Sequence, residues 1–200
     1  TRNQHNPRVT RKSETPVAGH GLHDSITTAR AFWLGVAAVV AIATAFLSHQ
    51  LMAWPPHEDE TLALFVGRDT LVGLVEHVTR DRGGAPLHFV VAWVVAHLGF
   101  GLGGLRAMSA FFALASIPLV AHLSRRLVSA LPAFVATTVF AGSWLFLFHG
   151  VYGRMYSLFL FLSILATLAL LAALKRGGRR RWAFWVAAGL ACVAAHPYGV

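Results

Sequence analysis

The arrangement of apolar residues constrains this chain more than any other feature. From Ala31 onward, apolar stretches at 31–53, 86–100, 102–123, 131–148, 155–174 and 182–195 alternate with short polar spacers. The basic spacers are Ser124-Arg125-Arg126, Tyr152-Gly153-Arg154 and Lys175-Arg176-Gly177-Gly178-Arg179-Arg180-Arg181. A helix needs about 20 apolar residues to cross a bilayer, and most of these stretches approach that length. With 56% apolar and 12% charged residues, the chain is too apolar for a soluble domain. The pattern predicts an all-α polytopic membrane protein. Its 17 Lys and Arg residues fall mainly in the N-terminal tail and the spacers, where cations set topology and hold anionic lipids, so nucleic acid is excluded as a partner. The lone Cys192 lies inside an apolar stretch and offers no disulfide framework.

Residues 1–30 are polar and basic, with Pro7 and Pro16, and are expected to form a disordered cytoplasmic tail. Residues 31–53 are expected to be the first span, residues 54–84 an outer loop and residues 86–200 the further membrane segments. Within the loop, Leu62, Phe65, Val66, Leu71, Leu74, Val75 and Val78 recur at helical spacing. The spacing predicts amphipathic interfacial helices, with Asp69 capping a second one after Gly67. Pro86–Phe100 is short for a span. If it crossed, both long basic spacers would land outside; if it dips in and returns, both join the tail inside. The second arrangement is expected, and it puts the acidic loop, Arg106, Arg154 and His196-Pro197-Tyr198 on the outer face of a cell membrane. The apolar stretch that ends near Val200 has nothing to pack on, so the chain is expected to be the N-terminal part of a longer protein.

Eight Asp and Glu residues occur in the chain. Glu14 and Asp24 lie in the tail, and the rest are Glu58, Asp59, Glu60, Asp69, Glu76 and Asp81; no carboxylate side chain follows Asp81. A base or a hard cation ligand supplied by the chain beyond the tail must therefore come from the outer loop. Glu58-Asp59-Glu60 reads as a solvated charge run, as a general base or as a ligand set for a divalent cation, with His57 beside it. Arg154 and Arg106 each read as a snorkelling cation or as a phosphate ligand. His88, His97, His122 and His149 sit singly in or beside spans and read as local hydrogen-bonding groups.

Taken in order, five landmarks resemble bacterial glycosyltransferase family 39, relatives of the dolichyl-phosphate-mannose protein mannosyltransferases that share the GT-C membrane fold. They are Asp59-Glu60; Gly84-Ala85-Pro86-Leu87-His88-Phe89; Leu105-Arg106-Ala107-Met108-Ser109; Arg154-Met155-Tyr156-Ser157-Leu158; and His196-Pro197-Tyr198. Ala85 and His88 stand where that family's entry motif has Pro and an aromatic residue, and Pro197 interrupts its His-Tyr-Tyr. The resemblance implies a GT-C helix bundle that moves a sugar, with mannose the guess, from a polyprenyl-phosphate carrier to a glycan, lipid or protein acceptor, inverting the anomeric centre. It implies Asp59 as catalytic base, Glu60 as its neighbour in catalysis, Arg154 and Tyr156 as the phosphate site, and His88, Arg106, His196 and Tyr198 as further substrate contacts. It assigns no metal ligand and leaves a divalent-cation requirement open. Two other classes compete: a secondary transporter or ion-coupled permease, and a non-catalytic membrane scaffold.

Overall fold

The computed structural model describes residues 18–81 and 86–196, with only the backbone described for 18–27 and 81. The described residues form α1 (Ala18–Gln50), α2 (Glu58–Val66), α3 (Leu71–Asp81), α4 (Pro86–His97), α5 (Gly101–Leu127), α6 (Ala130–Ala141), α7 (Trp144–Val151), α8 (Met155–Arg176) and α9 (Arg179–Ala195). Three stretches, Thr28–Gln50, Gly101–Leu127 and Met155–Arg176, are long and apolar enough to cross a membrane. α6 and α7 make a fourth if taken as one span bent by 49°. This is a helical membrane protein.

Several expectations shift. Helix α1 begins at Ala18, so residues 18–30 are helical where the composition predicts a disordered tail. The stretch at 131–148 is broken at Gly142-Ser143. Ser143 leaves helical geometry there, its hydroxyl donating to the Phe140 carbonyl while its oxygen accepts from the Phe146 N–H. Thr70, not Asp69, caps α3: its hydroxyl oxygen accepts from the Gly73 N–H at 3.1 Å, while the Asp69 carboxylate accepts from the Thr70 N–H. Helix α9 has 17 residues and starts with three arginines, short of the full span expected at 182–195.

Helix α5 is the central post. Its N-terminal end lies beside the end of α1, since the Arg106 guanidinium donates to the Leu51 carbonyl. Its C-terminal end lies beside the first described turns of that span, with Arg125 over the Phe32 ring at 5.4 Å. Between these ends, Val36, Ala43 and Leu47 of α1 pack with Ala113, Ile117 and Ala121 of α5 and Ala133 of α6 in one buried core. Helices α8 and α9 close the other flank through Leu158, Leu162, Cys192 and Ala195.

Helix α4 has 12 residues, about 18 Å of helix, shorter than the roughly 30 Å apolar core of a bilayer. Its first turn stands by Asp59 and Arg154, both of which act electrostatically on His88. Its last turn meets the start of α5, where Val95 approaches Gly104. Both ends of α4 thus lie toward one end of the bundle. Arg125, Arg126 and the 175–181 spacer lie toward the opposite end, with the start of the first span.

Leu74 and Val78 of α3 are fully buried against Phe89, Val90 and Trp93 of α4. Leu71, Val72 and Val75 on the same helix stay exposed, a pattern that suits a helix lying in the interface. Helix α2 is held to α4 by close backbone approach at Gly67. A Cβ there would stand 3.0 Å from the carbonyl carbon and oxygen of Ala92 and 3.0 Å from the Ala63 oxygen. Backbone cannot yield as a flexible side chain can, so Gly67→Ala is expected to cost about 1–3 kcal/mol by overpacking. Thermal unfolding in detergent measures it.

Candidate active site

The loop after α1 turns through Trp54-Pro55-Pro56 and enters α2 at His57. His57 Nδ1 accepts from the Asp59 N–H at 3.2 Å, and the Glu60 carboxylate accepts from the His57 N–H at 2.9 Å, a reciprocal cap of the capping-box kind. Because Nδ1 is an acceptor, its 3.5 Å approach to Asp59 Oδ2 is not a hydrogen bond. The three carboxylates that open α2 follow one another at about 100° around the helix axis, so they cannot converge. Glu58 faces solvent, Asp59 faces the α7–α8 turn and Glu60 points into the protein. This removes the reading of the three as one cation site. Among the described residues, no three His, Cys, Asp or Glu side chains group to hold a metal ion.

Glu60 and Arg106 are fully buried and bind each other bidentately: Arg106 Nε donates to Oε1 at 2.9 Å and Nη2 to Oε2 at 2.8 Å. The remaining donors of the guanidinium go to backbone carbonyls, Nη1 to Leu51 at 2.8 Å and Trp54 at 2.9 Å, and Nη2 to Pro55 at 2.9 Å. The other acceptor sites of the carboxylate take the N–H groups of His57 at 2.9 Å and Gly153 at 2.7 Å. All five N–H donors and the four acceptor positions are thereby occupied. Two expectations fall on this. Arg106 neither snorkels nor reaches a substrate, and Glu60 has no oxygen left for an acceptor.

Burial raises the Glu60 pKa, but the Arg106 hydrogen bonds and the N–H groups of His57 and Gly153 prevail and bring it below the ordinary Glu value of 4.5. A depressed carboxylate stabilises the fold fully above its unfolded-state value, and the contribution disappears as pH falls through the folded-state value. Acid unfolding should accordingly begin below about pH 4.5 and be shallower in Glu60→Gln, as read by thermal melts across pH. Equal pH slopes in the two proteins would refute it.

Gly153 sits in a tight turn, in which the Arg154 N–H donates to the Tyr152 carbonyl at 2.8 Å. A Cβ on Gly153 would stand 2.7 Å from Leu105 Cγ and 3.3 Å from Glu60 Oε1, so the turn can approach α2 only without a side chain there. Two adjacent links result. Gly153 is bonded to Glu60, and next to it Arg154 Nη2 meets Asp59 Oδ2 at 2.6 Å. The Asp59 side chain is 41% exposed and that of Arg154 22%, so the pair is reachable from outside while its support is buried. The Ser109 hydroxyl donates to the Arg154 carbonyl at 3.2 Å, tying the turn to α5 as well.

Around Arg154 the structure gathers residues from four elements. Its guanidinium lies over the Tyr156 ring at 4.9 Å, and its Nε is buried without a hydrogen-bond partner. The Tyr156 ring packs at a tilt against His149 of α7, centroids 4.3 Å apart, and against His196, just past α9, at 5.6 Å. His88 is buried in the first turn of α4. Burial and the Arg154 charge push its pKa down to about 4 against the opposing pull of Asp59, so it is a neutral imidazole. Asp59, Arg154, Tyr156, His88 and His196 thus come together; Arg106 and Glu60 stand behind them. Tyr198 and the Gly84-Ala85 part of the entry motif lie outside the described residues.

Sequence reasoning passed over three contributors. His149 has a buried Nδ1 with no partner; it meets Tyr156 across the 152–154 turn between α7 and α8, a contact that no helical spacing in the sequence signals. Gly153 and Tyr152 act through the turn. Tyr152 packs with Trp54 at 5.4 Å and Phe148 at 4.8 Å, and the Arg106 guanidinium lies 5.5 Å from its ring. Beyond Tyr156, a cavity of about 410 Å³ runs between α5, the α6–α7 bend and α8. His149, Tyr156 and Ser157 line its polar end, and Ala113, Phe146 and Leu160 its apolar wall. No family model matches the chain, and neither does any curated protein or solved structure.

Proposed function

We propose that the protein is a membrane glycosyltransferase of the GT-C type that takes a sugar from a polyprenyl-phosphate carrier. One observation carries the reading: a part-exposed carboxylate and a part-exposed guanidinium, 2.6 Å apart, stand next to Tyr156, whose ring meets the guanidinium on one side and lines an apolar cavity on the other. A substrate with an anionic head and a greasy tail needs that combination. The phosphate exchanges with Asp59 on Arg154, whose buried Nε also lacks a partner, and the isoprenoid lies along the apolar wall. Freed from Arg154, Asp59 takes the proton of an acceptor hydroxyl. The acceptor oxygen bonds to the anomeric carbon as the carbon–phosphate oxygen bond breaks on the opposite side, inverting the centre. The bonding electrons leave on the lipid phosphate, where the guanidinium offsets the charge. The cation-rich end is assigned to the cytoplasm, which puts the site on the outer face of the cell membrane.

Membranes carrying the protein, incubated with radiolabelled polyprenyl-phosphate sugars, should transfer label to an acceptor. Incorporation no higher than in membranes lacking the protein, across donors, would refute the reading. Arg154→Ala should raise the donor KM by about 10–100-fold, the worth of one or two charge-assisted hydrogen bonds. Arg154→Lys keeps the charge but not the bidentate geometry and should fall between. Wild-type kinetics in both variants would return Arg154 to a purely structural role.

A further inference from the structure

The opposite end of the bundle carries a second feature, independent of the catalytic reading. The last turns of α5 and α8 lie side by side and enclose a groove of about 600 Å³. Leu127, Leu171 and Leu174 form an apolar floor, and Arg126, Lys175 and Arg176 a cationic rim. Leu127 and Leu174 are 70% and 64% exposed, so the floor is open. The carboxylates whose side chains are described, Glu58, Asp59, Glu60, Asp69 and Glu76, all lie on α2, α3 or the loop between them. Helix α8 alone separates the two ends by about 33 Å, so none of these acids reaches the rim. Arg126 Nε donates to His122 Nε2 at 3.2 Å, which turns the guanidinium along its helix beside the groove that Arg126 lines.

Helix C-termini favour cations, and that accounts for cations in these turns but not for an open leucine floor between them. Water is a poor occupant of an apolar floor, and a soluble anion gains nothing from it. The one ligand that uses both parts is an acyl chain ending in a negative headgroup, at the depth where membrane spans end. We infer that this groove is a binding site for an anionic phospholipid, its phosphate held by Arg126, Lys175 and Arg176 and one acyl chain laid on Leu127, Leu171 and Leu174.

The purified protein, delipidated in detergent and titrated with phosphatidylglycerol or phosphatidylcholine, tests this by native mass spectrometry. One phosphatidylglycerol should be retained selectively. The triple variant Arg126→Gln/Lys175→Gln/Arg176→Gln should bind it on the order of a hundredfold more weakly, from about three lost phosphate-facing charges. A second triple variant, Arg179→Gln/Arg180→Gln/Arg181→Gln, removes the same charge from the start of α9 outside the groove and should bind as the wild type does. Equal loss in both triples would mean diffuse attraction and overturn the site, as would equal retention of phosphatidylcholine. Should the first triple misfold, Leu171→Glu places a carboxylate in the floor and must expel the lipid; retention in that variant overturns the site. Full competition by inorganic phosphate would equally defeat it, since a free anion cannot use the floor.

Discussion

Asp59→Asn is expected to abolish sugar transfer while leaving the amount of folded protein unchanged. The substitution keeps the shape of the side chain and removes its capacity to take a proton. A positioned general base contributes about 10²–10⁴-fold, so transfer should fall by at least that range. Folding should tolerate it because Asp59 is 41% exposed and pairs with Arg154 at 2.6 Å, a part-exposed pair of a kind worth about 0–1 kcal/mol. The control is Asp69→Asn. That carboxylate belongs to the same loop and accepts the neighbouring Thr70 N–H, away from Arg154, so its loss should leave transfer intact. A scaffold would give the same null result for both variants. Full transfer by Asp59→Asn would remove the residue as the base.

What the sequence discloses and what it hides divide along a physical line. Apolar stretches report burial in lipid directly, which is why 31–53, 102–123 and 155–174 correspond to helices that can cross a membrane. Periodicity also shows that the loop after Pro56 is helical. The scarcity of carboxylates after Asp81 narrows the choice of base to one segment before any coordinate is known. Hydropathy is silent about pairing, however. Arg106 and Arg154 look alike in the sequence, each a lone cation beside apolar residues, yet one is wholly enclosed and the other part-exposed. Their difference depends on which backbone carbonyls the α1–α2 loop turns inward, a long-range fact. Glu60 and Asp59 are neighbours with opposite fates for a simpler reason, the turn of the helix between them. The break at Gly142-Ser143 was equally hidden, because the apolar pattern continues through it.

Arg106→Leu is expected to be the most destabilising single change in the site. Removing one partner of a buried ion pair leaves an uncompensated charge, at about 3–5 kcal/mol. Here the carbonyls of Leu51, Trp54 and Pro55 lose their donors too, so the upper part of that range is expected. Hydrophobic replacement of both partners often rescues a simple buried pair. It should fail in this one, because a Glu60→Leu/Arg106→Leu protein leaves those carbonyls and the N–H groups of His57 and Gly153 without partners. Arg106→Lys retains the charge, but three ammonium donors cannot meet partners arranged around a planar five-donor fork. Thermal unfolding in detergent should therefore rank wild type above Arg106→Lys, and Arg106→Lys above Arg106→Leu, with the double variant no better than Arg106→Leu. The Glu60–Gly153 bond is the link next to the Asp59–Arg154 contact. Arg106→Lys should accordingly lower transfer even at temperatures where it remains folded. A double variant as stable as the wild type would show that the pair is an ordinary buried salt bridge and that something else holds the α7–α8 turn against α2.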